Sequence, residues 1–385
     1  MNNIHIGGVY YGQHNIGDEA IVYSMIKTFS SNNILSVSSY GSEWIDELFP
    51  NVERHMIPVR FQKPKYGIYT VPVRNVIKDY IKVKKEIAFY NEKDIYICGG
   101  ATILSDCPWY SLRTVQLAGK SQNDVYLWGV GMAEINDRKT LHYIKDVLNK
   151  DYVKKIFTRD EFVRERLIDL DVTSDKVYVS YDPAIMIESH QVDLDIYLTK
   201  EQRELYLNGN INIVLSVSGE ADVVKKTPIS VIKKAVENLQ RRYGANIFLI
   251  PTGCGKQCKD TEFLCSIASD LNNKSICVIK KEFNPSDLVG FLQKIDLIIS
   301  SRLHMNILGA CASTPSIGLI RNRKIVDFAR IIGLPYLELE TLNCEQLENE
   351  AVNILNNNDF YTAVIKSKVA QMRKQYREAV KIINL

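Results

Sequence analysis

Short apolar runs alternate along the chain with segments whose apolar positions recur three or four residues apart. Runs at 4–9, 34–37, 94–98, 125–130, 155–158 and 176–179 have strand character. Helical spacing fills most of the gaps between them, as over 18–29, where Ile21, Met25 and Phe29 share one face. After Asp182-Pro183 the chain turns polar and weakly periodic to about Asn210. The alternation restarts with strand-like runs at 211–217, 246–250, 276–279, 297–299 and 316–319, and with a helix over 229–243. The last stretch, 360–383, reads as one amphipathic basic helix. Strand, helix, strand at this spacing means parallel βαβ units in doubly wound sheets. The pattern therefore predicts an α/β protein of two Rossmann-like domains facing a cleft. The expected division is a first domain over 1–188, a linker over 189–210 and a second domain over 211–355. A helix over 356–385 is expected to pack back on the first domain.

Composition adds little to this picture. The chain has 385 residues, too many for one ordinary core, with 46% hydrophobic and 24% charged residues. A net charge of +3 is too small to argue for nucleic acid. No run reaches the roughly 18 apolar residues of a membrane span. Met1-Asn2-Asn3 leads at once into a strand-like run, so no signal peptide is expected. The eight cysteines are scattered, which suits a reducing, cytoplasmic setting. The one close pair, Cys254 and Cys258, lacks the companions a zinc site needs.

One segment departs from the alternation. Between Arg54 and Lys85 stand nine Lys or Arg residues and one acidic residue, Asp79, interleaved with Phe61, Tyr66, Tyr69 and Tyr80. Such a mixture reads either as a solvated insertion or as a surface that meets anionic lipid at the inner face of the cell membrane.

Five stretches carry candidate chemistry, and each follows a strand. Ser301-Arg302-Leu303-His304 stands where the strand at 297–299 runs into an apolar helix. There a guanidinium fork, an imidazole and a helix N-terminus meet, which suits an anion and a proton transfer; the plain alternative is a polar helix entry with a core histidine. Gly7 to Ala20 combines turn-forming glycines with Asn15 and Asp18, which either contact a ligand or cap the next helix. Gly99-Gly100-Ala101-Thr102 lets a ligand approach the backbone, and Asp106 is a candidate base. Arg159-Asp160 opens a helix, with Arg159 placed for an anion or for a surface ion pair. Gly255-Lys256 invites a P-loop reading, which fails because Ile250 and Gln257 stand at required Gly and Ser/Thr positions. The glycines after the first strand do not form GxGxxG, and neither a Gly-x-Ser-x-Gly elbow nor a His-Glu-x-x-His pair is present.

Taken in order, Tyr11-Gly12, Asn15-Ile-Gly17-Asp18-Glu19-Ala20, Gly99-Gly100-Ala101-Thr102-Ile-Leu-Ser-Asp106, Thr158-Arg159-Asp160, Tyr181-Asp182-Pro183-Ala184 and Ser301-Arg302-Leu303-His304 resemble the polysaccharide pyruvyl transferase family. The family commonly has three glycines where this chain has Gly99-Gly100-Ala101. The resemblance implies a GT-B-like fold with the acceptor on the first domain and the donor on the second. It implies transfer of pyruvate from phosphoenolpyruvate to a sugar as a cyclic ketal, with release of phosphate. The acceptor would be a bacterial surface polysaccharide such as capsule or exopolysaccharide, or its polyprenyl-diphosphate-linked precursor. On that basis Arg159, Arg302 and Ser301 bind the donor, and His304 delivers a proton to C3. Asn15, Asp18, Gly99, Gly100 and Thr102 face the acceptor, and Asp106 or Asp18 is the base. Arginines and a helix N-terminus can carry the charge, so no cofactor or metal is expected. Two other readings stay open: a GT-B-like glycosyltransferase using a sugar nucleotide, and a non-catalytic sugar-binding protein.

Overall fold

The computed structural model describes residues 1–8, 12, 14–39, 43–56, 76–255 and 258–383. Val9 and Tyr11, Lys256 and Gln257, and most of the basic and aromatic segment after Arg54 lie outside the described residues. The chain divides into two compact units. One is Met1–Gln13, Ile21–Pro183 and Lys374–Leu385; the other is His14–Ala20 and Ala184–Arg373. Among the described residues each unit holds one parallel sheet with helices between its strands, so the class is α/β with two Rossmann-like units.

The strands of the first unit are β1 (Asn3–Gly7), β2 (Ile34–Ser38), β3 (Glu53–His55), β4 (Ile95–Gly99), β5 (Asp124–Val130), β6 (Val153–Thr158) and β7 (Val177–Val179). They lie in the order β3-β2-β1-β4-β5-β6-β7, all parallel. Each residue of β4 is buried, which explains its unbroken apolar run: helices cover both faces of a parallel sheet, so neither face selects polar residues. The sequence pattern misses β3, a three-residue edge strand whose residues Glu53 and Arg54 are exposed. His5 on β1 is fully buried, its two ring nitrogens bonded to the buried hydroxyls of Ser36 (2.9 Å) and Ser38 (2.8 Å) on β2.

The second unit is built on β8 (Asn212–Ser216), β9 (Asn246–Leu249), β10 (Ile276–Val278), β11 (Leu297–Ser300), β12 (Ser316–Ile320) and β13 (Tyr336–Glu338). Their order is β10-β9-β8-β11-β12-β13. In both sheets the chain winds outward on one side, then returns to the middle and winds out on the other. The reversal falls between β1 and β4 in the first sheet and between β8 and β11 in the second. Ligands of doubly wound sheets bind beyond the strand ends at this reversal.

The segment 189–210, expected as a linker, is folded and belongs to the second unit. It contains a short 3-10 turn, Leu194–Ile196, and a helix, Lys200–Leu207, whose start is closed by a capping box between Thr199 and Gln202. The last helix runs Asn358–Ile382; its residues to Arg373 group with the second unit and those from Lys374 with the first. Among the described residues no helix is long and apolar enough to cross a membrane.

Candidate functional site

The reversal point of the second sheet is built from serines, carboxylates and guanidiniums. As β11 ends, Ser301 N donates to Ser216 O (3.0 Å), extending the pairing with β8. Ser301 is fully buried and its Oγ accepts the amide of Ser218 (2.9 Å). The hydroxyl that the resemblance assigns to the donor braces two strand ends. Ser300 Oγ accepts Arg302 N (2.9 Å), which holds Arg302 in extended backbone (φ −103°, ψ 119°) as the cap of the helix Leu303–Ala312.

The fork of Arg302 is closed on carboxylates. Nε and Nη2 donate to the two oxygens of Asp260 at 3.0 and 2.5 Å, and Nη1 donates to Glu220 at 2.6 Å. Glu220 offers its other oxygen to Nη1 of Arg321 (2.8 Å), and that nitrogen also reaches Ser218 Oγ (3.2 Å). Two cations and two anions alternate, so the cluster is neutral as a whole. Burial works against the charge on Arg302, but the charges of Asp260 and Glu220 outweigh it and the guanidinium holds its proton more tightly than usual. Burial likewise favours the neutral acid at Glu220, yet Arg302 and Arg321 hold it below the ordinary carboxylate range. Cys258 lies beside the same guanidinium; burial raises its thiol pKa although Arg302 pulls the other way.

His304 is the second residue of the helix that Arg302 caps. Its ring rests on Gly17, in the first turn of the helix Ile16–Phe29. A Cβ built on Gly17 would overlap the imidazole. That turn belongs to the second unit because it is stitched to the loop after β9: Ile16 N donates to Thr252 O (2.9 Å), Cys254 N to His14 O (2.8 Å), and Asn15 bridges Gly253. Asn15 Oδ1 accepts Gly17 N (3.1 Å) and its Nδ2 donates to the buried Asp18 (2.9 Å). Asn15 and Asp18 therefore shape the turn beneath His304.

The other candidates belong to the first unit. Gly99 ends β4, Gly100 takes φ +69° and Ala101 takes φ +55°. The loop is tied to β5 by Gly100 N to Trp128 O (2.7 Å) and to the residue just after β5 by Gly131 N to Ala101 O (2.8 Å). Thr102 is half-buried and Asp106 exposed. Arg159 follows β6 and is 8% exposed; its guanidinium lies so near Gly131 that a Cβ there would come within 2.6 Å of Nη2. Its Nε is 3.6 Å from Asp160, whose other oxygen caps the helix Glu161–Asp169 through Val163 N (2.8 Å). Among the described residues no three His, Cys, Asp or Glu side chains gather as a metal site.

A family model for polysaccharide pyruvyl transferase matches residues 15–323. The chain belongs to the polysaccharide pyruvyl transferase family. As a member it is a transferase, and the matched span opens at Asn15 and closes two residues beyond Arg321. Comparison with curated protein sequences returns no match. Solved structures resemble it in fold. UDP-GlcNAc 2-epimerase from Neisseria meningitidis bound to UDP-GlcNAc has TM-score 0.62 and 11% identity, over 98% of this chain and 100% of that one. Anabaena HepE in complex with UDP-glucose has TM-score 0.62 and 9% identity, with both chains covered in full. A glycosyltransferase from Rickettsia africae has TM-score 0.58 and 15% identity, over 99% and 97%. This pyruvyl transferase family member thus shares the two-unit, GT-B-like fold of glycosyltransferases and epimerases.

The motifs that mark the family identify Arg302 and His304 but not the carboxylates around them. Asp260, Glu220 and Arg321 fall outside every quoted motif. The available signal was positional: Ser216-Val-Ser-Gly-Glu220, Thr252-Gly253 and Arg321 each follow a strand near the reversal of the second sheet.

Proposed function

We propose that the chain transfers the pyruvyl unit of phosphoenolpyruvate to a sugar of a bacterial surface polysaccharide, or of its lipid-linked precursor, and closes it as a cyclic ketal. The observation that carries this reading is His304, set at a helix start beyond β11 and backed by Gly17, beside the carboxylate-anchored Arg302. In this reading His304 gives a proton to C3 of the enol, which makes C2 electrophilic. A sugar hydroxyl attacks C2 and loses its proton to a base, Asp106 or Asp18. The bond from C2 to the phosphate oxygen then breaks, and a second hydroxyl takes the vacated position. Of the two hydroxyl protons, one replaces the proton spent on C3 and the other leaves with phosphate.

Three of the five N–H groups of Arg302 are spent on carboxylates, so its fork is not open for a donor. Its charge is balanced by Asp260 and Glu220, so the positive dipole end of the helix Leu303–Ala312 is the feature suited to a carboxylate or phosphate. Arg159 keeps the anion-binding role that the family implies, and Gly99, Gly100, Thr102 and Asn15 keep the acceptor. Attachment to the inner face of a membrane through the segment after Arg54 belongs to the same proposal; flotation with anionic vesicles that weakens with salt supports it, and flotation unchanged by Lys→Glu replacements there ends it.

The test is to incubate the enzyme with phosphoenolpyruvate and candidate lipid-linked oligosaccharides. Phosphate release together with a mass gain of one pyruvate less one water is expected. His304→Ala should lower kcat by about two to four orders of magnitude. Release of a nucleoside diphosphate from a sugar nucleotide, with phosphoenolpyruvate untouched, would establish the glycosyltransferase reading instead.

A further inference from the structure

Asp260 begins the helix Asp260–Leu271 and is fully buried. Its Oδ1 accepts Gly219 N (2.7 Å) and Arg302 Nη2 (2.5 Å). Its Oδ2 accepts Gly253 N (2.9 Å), Thr252 N (3.3 Å), Thr252 Oγ1 (3.4 Å) and Arg302 Nε (3.0 Å). These donors come from the loops after β8, β9 and β11, so one carboxylate closes three adjacent strand ends at the reversal of the sheet.

Two surfaces that locate His304 lead back to this carboxylate. The first is its own helix start. Arg302 caps that helix, and its carbonyl accepts N and Nδ2 of Asn306 in the opening turn (3.4 and 3.2 Å). The second is Gly17, whose turn is stitched to Thr252 and Gly253, the residues whose amides Asp260 binds. A slack fork at Arg302 or a shifted loop at Gly253 would each move the imidazole.

We propose that Asp260 is the positioning residue of His304: it fixes the ring over Gly17 from two sides without itself touching a substrate. The consequence for turnover rests on the pyruvyltransferase reading given above, whereas the placement of the ring does not. A displacement of about 1 Å of a reacting group can cost about 10²-fold in rate.

The experiment compares Asp260→Asn, Asp260→Glu and, as control, Asp296→Asn in the full chain. Asp296 lies in the same unit and accepts Asn212 N (2.8 Å) at the start of β8, the opposite end of the sheet. Imidazole resonances are read by NMR on histidine-labelled protein without substrate, with His304 assigned from His304→Gln. Both Asp260 variants should shift the His304 resonances and leave those of the surface His142 in place, while Asp296→Asn shifts neither. With phosphoenolpyruvate, kcat should fall by about 10²-fold and KM far less. Asp260→Glu keeps the buried charge pair but lengthens the arm, so it separates geometry from charge. Wild-type His304 resonances in either folded variant overturn the proposal. So does failure of both Asp260 variants to fold while Asp296→Asn folds, because Asp260 would then serve the fold alone. Absence of phosphoenolpyruvate turnover in the wild type would sink the proposed reaction and leave the resonance test standing.

Discussion

Gly17 and His304 touch so closely that position 17 has no room for a Cβ. Gly17 is the second residue of a helix, where alanine would ordinarily be favoured by up to about 1 kcal/mol. Gly17→Ala should instead lose about 1–3 kcal/mol through overpacking and displace the imidazole. The expected result is a lower melting temperature with a disproportionate loss of kcat. A variant with wild-type kcat would show that the ring position is immaterial to turnover.

Arg302 and Asp260 form a pair with both side chains nearly or fully buried. Arg302→Met would strand the Asp260 carboxylate without its counter-charge, at a cost of about 3–5 kcal/mol. Glu220 is about one-third exposed, and water can reach its carboxylate when the partner changes. Urea unfolding should therefore show a far larger loss for Arg302→Met than for Glu220→Gln. Equal losses would contradict the assignment of Asp260 as the buried partner.

His5 gives the first unit a pH-dependent stability. Burial, and then the charges of His55 and Lys93, lower its pKa well below the ordinary value. The unfolded chain, with a pKa of about 6.5, binds the proton more readily than the native one. The contribution is thus complete above about pH 6.5 and is lost as pH falls toward the native value, by at most about 1.4 kcal/mol per unit. Unfolding free energy measured from pH 7.5 to 5.5 should fall, and His5→Gln should remove that part of the slope. A variant with the wild-type slope would assign the dependence elsewhere.

Ala101 occupies the left-handed region, with φ +55°, in the loop where the family commonly has a third glycine. A side chain there costs about 1–2 kcal/mol, and glycine gives back about 0.5–1 kcal/mol in unfolded-state entropy. Ala101→Gly should raise stability by about 0.5–1 kcal/mol, readable as a small rise in melting temperature. A fall would mean that the Ala101 methyl makes packing contacts worth more than the strain.

The central strands were legible because their physics is local: β4, β8, β11 and β12 are buried along their whole length, and each carries an unbroken apolar stretch with polar residues only at its ends. β3 and β13 were not, since three partly exposed residues at a sheet edge carry no period. The helix Lys200–Leu207 was announced by Thr199 and Gln202 at capping-box spacing, a signal masked by the polarity of its surroundings. In the site, Arg302 and His304 stood out because a strand-to-helix junction displays them together. Asp260 did not, because its meaning is made by donors 41 residues before it and 42 after it, brought together only when the strands pair.

The grouping of residues 14–20 with 184–373 bears on how the chain is made. Neither unit is a continuous stretch of polypeptide, so neither can be excised as a simple fragment: a piece spanning 184–373 lacks the turn on which His304 rests. On a ribosome adding about 5–20 residues per second, that turn emerges tens of seconds before its partner loop around Gly253. During that interval His14 and Ile16 lack the backbone partners that Thr252 and Cys254 later supply. The turn on which His304 rests is therefore made well before the loop that holds it in place.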